Sequence, residues 1–490
     1  MSRTLHLHNG FFIIDPTLGT YCHSLTMSDG IIQAHDSLAP EQAECIDLHG
    51  QCAVPGFVDS HLHLVLGATG SGDVQLNGCA SRAEFETMAI SSSCKDASED
   101  WLVGSGWSEE CLGEMPNRMW FSNKTKTPIL FYSADFHCAV VNDALLQNVD
   151  VEKVKTLQGG QRIDEGLIFE DALFKGIMPH IPEVSLSVKV ERTKRAIREL
   201  HECGITFVGT MEKMKDIASV LVAIQECQQL RMRAMCVDDP TTEMIESCNT
   251  LEQNSYLKIT GFKSFLDGTL GSRTAKMYFP WVDTEGSGVW TGHALLDDLN
   301  KWVRKVSSAG FAPVLHAIGD EAVGRALHVL KDVDGSLVPR IEHAQCIAER
   351  DLSAVSNRWF GVQPTHQPED MKLGMKSLGR ERMSELHNWR RMIDAGGLLS
   401  FGSDWPIAQP NPLLSMQIAI GQGLTPNEAL VSSTTYGAQS LRSTKGGHLR
   451  VGAYADIAVL DQDPLQCDWK ETPPSVTMTI VAGKPVYTKE

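Results

Sequence analysis

His61 and His63 stand one residue apart in Asp59-Ser60-His61-Leu62-His63, directly after Val54-Pro55-Gly56-Phe57-Val58. Alternate side chains of a strand share a face, so both imidazoles point one way while Leu62 points the other. Two neutral imidazoles at a strand end can grip one divalent cation if further donors arrive from elsewhere in the chain. A cation held there would acidify water and polarise a carbonyl, which is hydrolytic chemistry. The spacing alone is a weak signal. With 17 histidines in 490 residues, about one His-x-His arises by chance. His6-Leu7-His8 is a second instance, with no Pro-Gly turn before it and no acidic residue beside it. His6 and His8 read as surface positions of an early strand.

Further donors follow four short, largely apolar runs. Ile259-Thr260-Gly261-Phe262 leads to Lys263, Pro313-Val314-Leu315 to His316, Arg340-Ile341-Glu342 to His343, and Leu398-Leu399-Ser400-Phe401-Gly402-Ser403 to Asp404. Each has a plain reading by itself. A lone histidine after a strand is more often a hydrogen-bonded core or rim residue, a lone lysine a surface group on a buried stem, and Asp404 a turn residue ahead of Pro406 and Pro410-Asn411-Pro412. Their joint occurrence at successive strand ends favours one shared site.

The elements that must position these groups alternate strand with helix. Val188–Cys203 has apolar residues at 188, 190, 197 and 200 and is stopped by Gly204, after which Ile205-Thr206-Phe207-Val208 reads as a strand. Leu296–Ser308 repeats the pattern before Gly310, and Thr425-Pro426-Asn427-Glu428 is a helix-opening capping box. Such alternation predicts a parallel sheet, and a (β/α)₈ barrel fits its length, with active groups at the carboxyl ends of the strands. Residues 1–55 and 443–490 read as short strands, with Asp29-Gly30 a hairpin turn, and neither end is large enough to fold alone. They are expected to pair into one composite β-sandwich. The first barrel strand falls in 56–66, an inserted subdomain over the barrel mouth in 67–187, and the rest of the barrel in 188–442. The insert should carry secondary structure of its own, being too long for a loop.

Composition narrows the function classes. A formal net charge of −18 argues against general nucleic-acid binding, which needs clustered cations. No apolar run reaches membrane-spanning length and the amino terminus lacks a signal-type apolar region, so cytoplasmic residence is the expectation. The 13 cysteines are odd in number and never spaced Cys-x-x-Cys, which suits reduced, mostly buried thiols; Cys138 and Cys346 read as small core residues.

Taken together, Pro-Gly-Phe-Val-Asp-Ser-His-Leu-His, the segment Gly261 to Ala275, Leu315-His316-Ala317-Ile318-Gly319-Asp320, Arg340-Ile341-Glu342-His343-Ala344-Gln345, Gly402-Ser403-Asp404-Trp405-Pro406 and Gly452-Ala453-Tyr454-Ala455-Asp456 resemble the amidohydrolase superfamily over nearly the whole chain. Within it the chain is similar to the YtcJ-like group, which includes N-substituted formamide deformylases. The resemblance implies a distorted (β/α)₈ TIM barrel with a composite β-sandwich, and one or two divalent metal ions, zinc foremost. It implies that His61, His63 and Asp404 hold a first ion, that His316 and His343 hold a second, and that Lys263 bridges them as an N-carboxylated lysine.

In that reading metal-activated hydroxide cleaves the C–N bond of an amide, formamide or cyclic amide in a small molecule, and Asp404 acts as general base and then acid. Ester cleavage or deamination would use the same donors. A non-catalytic barrel scaffold or regulator would be signalled by lost ligands, and all six are present. Asp135-Phe136-His137 departs from the Asp-Gly-His common in relatives. His137 is read either as an oxyanion or substrate contact or as a structural residue, and Glu170 as a rim residue or alternative ligand. Arg273 either pairs with Asp267 to order the loop after Lys263 or meets a substrate carboxylate. Trp107, Phe136, Trp290 and Trp405 hint at an apolar or aromatic substrate portion. By analogy with large acidic barrel enzymes, a homodimer is expected.

Overall fold

The computed structural model describes residues 4–69, 74–76, 78–93, 101–121, 124–182, 184–294 and 296–489; the remaining parts of segments 1–55, 67–187, 188–442 and 443–490 lie outside the described residues. Eight strands form one sheet in chain order: β1 (Phe57–Leu62), β2 (Ile205–Glu212), β3 (Arg231–Cys236), β4 (Leu257–Phe265), β5 (Ala312–Ala317), β6 (Arg340–His343), β7 (Trp359–Val362) and β8 (Leu398–Phe401). Every neighbouring pair is parallel. Nearly all of their residues are buried, as expected of strands covered by helices outside and by one another's side chains inside. β8 meets β1 through specific bonds. Ser60 Oγ donates to Ser400 Oγ at 3.1 Å, and beyond the strand ends Asp404 N donates to His61 O at 2.7 Å and His63 N to Trp405 O at 2.8 Å. Gly402 permits this approach, because a Cβ there would lie 2.7 Å from the His61 backbone nitrogen.

The helix Leu186–Glu202 turns Thr193, Ala196, Ile197 and Leu200 inward, an i, i+3, i+4, i+7 stripe; of the apolar positions read from the sequence, Ile197 and Leu200 are buried and Val188 is exposed. Gly204, at φ +77°, follows its end. The Thr425–Glu428 capping box forms with both of its hydrogen bonds.

Both chain ends build the flanking sheets. A six-stranded sheet runs Lys484–Thr488, Val476–Val481, Ile457–Leu460, Cys52–Pro55, Phe11–Asp15, Thr20–Cys22, so that a late strand lies directly beside an early one. A four-stranded sheet, Ile31–His35, Leu25–Ser28, Thr4–His8, Glu44–Asp47, completes this part of the fold. Leu5, Leu7, Phe12, Met27, Ile457 and Ile480 share one core there. Asp29 and Gly30 take φ of +51° and +78° in a two-residue turn, as the Asp-Gly pair predicts.

The surface reading of His6 is corrected. His6 is buried and shares a 2.8 Å hydrogen bond with Thr26 Oγ1, because Thr4–His8 is an interior strand with a neighbour on each side. Where these sheets meet the barrel, Arg231 at the start of β3 is buried against Asp456, with Nε–Oδ2 and Nη2–Oδ1 distances of 2.5 and 3.1 Å. The Tyr454 ring lies 3.5 Å and the Tyr256 ring 4.7 Å from its guanidinium carbon.

The insert forms a five-stranded mixed sheet, in the order Leu167–Phe169, Cys138–Val141, Ile129–Ser133, Leu102–Trp107, Val74–Gln75. Ile129 and Phe131 face one apolar cluster and Leu130 and Tyr132 another, so each face has its own core. All cysteines among the described residues are free thiols, most of them buried. No helix among the described residues is long and apolar enough to cross a membrane.

Glu212, the last residue of β2, supplies a stability test. It is buried and accepts from Val65 N at 2.8 Å and Thr210 Oγ1 at 2.7 Å, and burial pushes its carboxyl up to about 8. A carboxyl raised in the folded state keeps a proton that the unfolded chain has lost. Its contribution is therefore full below the ordinary glutamate range and is lost as pH rises through about 8. Glu212→Gln keeps the acceptor and cannot ionise. Thermal melts are expected to show the variant gaining on the parent by on the order of a few kcal/mol between pH 5 and 8.5; parallel pH profiles would refute it.

Candidate active site

The strand ends bring the six sequence-predicted donors together. His61 Nδ1 lies 2.6 Å from Glu342 Oε2, and His63 Nδ1 lies 3.1 Å from the Met211 carbonyl. Both partners are acceptors, so each Nδ1 carries the hydrogen and each Nε2 keeps its lone pair. Those two Nε2 atoms lie 3.2 and 3.3 Å from the same oxygen, Asp404 Oδ1. His316 on β5 gives its Nε2 hydrogen to the Gly268 carbonyl at 3.1 Å, which leaves Nδ1 as the lone-pair atom. His343 ends β6; its Nδ1 is 3.9 Å from Asp404 Oδ2, and its ring centroid lies 4.4 Å from that of His316 and 4.9 Å from that of His61. Lys263 on β4 is buried, and its Nζ has no hydrogen-bond partner.

The electrostatics favour neutral imidazoles at His63, His316 and His343, and the charged form at His61. Burial, together with the charge of Lys263, pushes His316 well below the usual imidazole range; burial and His316 do the same to His343, and burial lowers His63. His61 moves upward, because Asp404 and Glu342 outweigh burial and Lys263. Burial lowers the Lys263 ammonium to about 8 against the pull of Glu342 and Asp404. Asp404 stays well below the usual carboxylate range; burial opposes this, and His61, His63 and His343 overcome it.

These residues fit a divalent cation. His61 Nε2, His343 Nδ1 and Lys263 Nζ are buried polar atoms without hydrogen bonds, an arrangement that is costly unless another group satisfies them. His61, His63 and Asp404 each place a ligand atom within 4.8 Å of the others. The acceptors on the far ring nitrogens are the partners that orient imidazoles toward a metal.

Glu342 reaches the candidate site, and its sequence context alone does not single it out. Strand alternation puts it and His343 on opposite faces, yet both approach His61. The pleat breaks because His343 and Ala344 have φ of +72° and +44°. Arg340 Nη2 is ion-paired with Glu342 Oε1 at 2.8 Å and donates to Ser60 O at 3.0 Å, holding the carboxylate in place. The available signal was two charges, Arg340 and Glu342, in a strand just before a candidate ligand. Asp404, Phe136, Glu170 and Arg273 are likewise non-glycine residues with φ between +42° and +58°, the kind of backbone strain that collects at functional sites.

The other candidates separate. His137 and Glu170 reach the site: Nδ1 of His137 is 3.0 Å from Glu170 Oε2, and the His137 and His316 ring centroids are 5.7 Å apart. Trp107 does not. It is buried in a core of the inserted sheet with Nε1 bonded to Phe131 O at 2.8 Å, since its strand has a covered face. Arg273 orders its loop, donating to Asp283 at 3.0 and 2.9 Å and to the Leu270 and Gly271 carbonyls. The expected Arg273–Asp267 pair is corrected. Asp267 instead accepts from the backbone nitrogens of Lys276, Ile318 and Gly319, because the loop folds that carboxylate inward. Trp290 lies under Arg325 with 3.5 Å between ring and guanidinium carbon. Phe136 stacks on Tyr132 with centroids 5.0 Å apart, and with Trp405 it lines a cavity of about 260 Å³ beside the site.

A parallel eight-stranded barrel with imidazoles, a lysine and a carboxylate at its strand ends has the layout of a barrel hydrolase. The chain belongs to the amidohydrolase family, whose sequence model matches residues 44–487. It is 26% identical to a Bacillus subtilis protein named as an amidohydrolase, YtcJ, over 98% of this chain and 99% of that one. It is 22% identical to the N-substituted formamide deformylase of Arthrobacter pascens, covering 89% of this chain and 88% of that one. An uncharacterized metal-dependent hydrolase from Pyrococcus horikoshii has a similar crystal structure, with a TM-score of 0.76 and 25% identity over 96% of this chain and 99% of that one.

Proposed function

We propose that this protein is a metal-dependent hydrolase of C–N bonds in small amides, formamides or cyclic amides. The observation that carries the reading is the shared approach of His61 Nε2 and His63 Nε2 to one Asp404 oxygen, at 3.2 and 3.3 Å, beside the unpartnered Lys263 Nζ and His343 Nδ1. His61, His63 and Asp404 would hold one ion, and His316 and His343 a second, with Lys263 between them as a carbamate. Carbamate formation joins the Lys263 nitrogen to the carbon of CO₂; starting from the ammonium it releases two protons, one to free the amine and one from the nitrogen as the N–C bond forms, turning a cation into an anionic oxygen donor. Zinc suits a set rich in imidazole. When bound, such an ion polarises a carbonyl and makes water acidic enough to attack near neutral pH. Asp404 accepts the proton that the attacking water loses and returns it to the departing nitrogen, so one carboxylate serves both half-steps. The deformylase of Arthrobacter pascens supports formamides as the first class to try.

The test is a panel of N-substituted formamides, N-acyl amino acids and aryl esters with matched acyl groups. Turnover of a formamide or amide is expected, lost on dialysis against a chelator and restored by zinc. Faster cleavage of esters than of their matched amides, or turnover indifferent to chelation, would overturn the reading.

A further inference from the structure

The inserted sheet contributes a residue to the barrel site from outside the barrel strands. Glu170 follows the strand Leu167–Phe169 and His137 precedes Cys138–Val141. These strands pair antiparallel with Cys138 opposite Phe169, which sets the two residues side by side. Glu170 N donates to the His137 carbonyl at 3.1 Å, and His137 Nδ1 donates to Glu170 Oε2 at 3.0 Å. Asp135 ties the same turn to the barrel. Its Oδ1 accepts from His137 N at 3.1 Å, and its Oδ2 accepts from Thr269 Oγ1 at 2.8 Å and Ser272 Oγ at 3.0 Å, in the loop that follows the Lys263 strand.

The imidazole is therefore fixed by its backbone and by one ring nitrogen, while no group among the described residues hydrogen-bonds Nε2. Its side chain retains 13% exposure, the ring lies beside His316, and the Phe174 ring stands nearly perpendicular to it with centroids 5.9 Å apart. Room for the Glu170 carboxylate comes from Gly268, where a Cβ would lie 2.3 Å from Glu170 Oε1.

A carboxylate on one ring nitrogen orients an imidazole and stabilises its doubly protonated form, in which the other ring nitrogen carries an N–H as well. We propose that His137 is a catalytic residue whose Nε2–H holds the substrate carbonyl oxygen as negative charge develops on it, and that Glu170 is the positioning residue for that ring. The inference rests on the C–N hydrolysis reading above. In the step it serves, water oxygen bonds to the carbonyl carbon, the C=O π pair moves onto the oxygen facing His137, and the water proton goes to Asp404. Collapse restores C=O and breaks C–N. The pair leaves on nitrogen, which takes the Asp404 proton. A preorganised donor at the developing oxyanion favours this transition state over the ground state, so its loss lowers kcat more than it raises KM.

The experiment uses the full-length, zinc-loaded protein and a formamide turned over by the parent. His137→Ala is expected to lower kcat by about 10²–10³ with KM within roughly threefold. His137→Gln, which restores an N–H donor, should recover roughly tenfold of that loss, and Glu170→Gln should cost roughly 10–100-fold in kcat. Bound zinc per chain, by elemental analysis, and the thermal midpoint should match the parent in all three. The affinity of a phosphonate matched to the tetrahedral geometry should fall in proportion to kcat/KM. His137→Ala with kcat within threefold of the parent, or zinc lost from Glu170→Gln in step with activity, would overturn the proposal while leaving C–N hydrolysis intact. A parent protein that cleaves none of the C–N panel would remove both.

Discussion

Asp404→Asn is expected to lower kcat by about three orders of magnitude on any C–N substrate that the parent cleaves. The amide keeps the shape of the carboxylate and can still meet His61 and His63, but it can neither take a proton from water nor return one to nitrogen. The environment makes the contrast sharp. Asp404 is held ionised in a buried setting by three imidazoles, and its backbone is locked at φ +58° with its N–H on His61 O. Little rearrangement is available to bring in a substitute base. Zinc content separates the two roles assigned to this residue. A variant that retains zinc and loses kcat isolates proton transfer, whereas one that loses zinc and activity together speaks for ligation. A zinc-replete variant with more than about a tenth of parental kcat would show that proton transfer lies elsewhere.

Asp456→Ala carries the largest stability effect expected outside the site, a loss of about 3–5 kcal/mol in denaturant unfolding. It strands the Arg231 guanidinium between two tyrosine rings, 2% exposed, and also removes the acceptor of Ala482 N at 2.8 Å. The converse change, Arg231→Met, strands the carboxylate. The double variant Arg231→Met/Asp456→Leu should recover much of either loss, because the cost arises from the unpaired charge left behind. Single variants within about 1 kcal/mol of the parent would mean that water reaches the pair.

The barrel order and the convergence of the six donors were legible because each donor closes an apolar run, and strand ends are where such a fold exposes chemistry. The pairing of the two chain ends was legible from their size and turn residues. Other features depend on contacts that spacing does not encode. Glu342 was hidden because alternation along a regular strand puts it on the face opposite His343, and the positive φ at His343 breaks that alternation. His6 was hidden because a strand's place inside its sheet is set by partners about 20 and 40 residues away. Trp107 and Trp405 are the same residue type, yet one fills a core while the other borders the cavity beside Asp404. Glu170 meets His137 only through the pairing of two inserted strands.

The six-stranded sheet sets an order on biosynthesis. Cys52–Pro55 leads directly into the strand that carries His61, and its other edge is covered by Ile457–Leu460. On a ribosome, that edge waits while some four hundred residues are translated, a long exposure for an apolar strand. Docking of Ile457–Leu460 is then a late event in maturation, bracing the segment from which the first two imidazoles project.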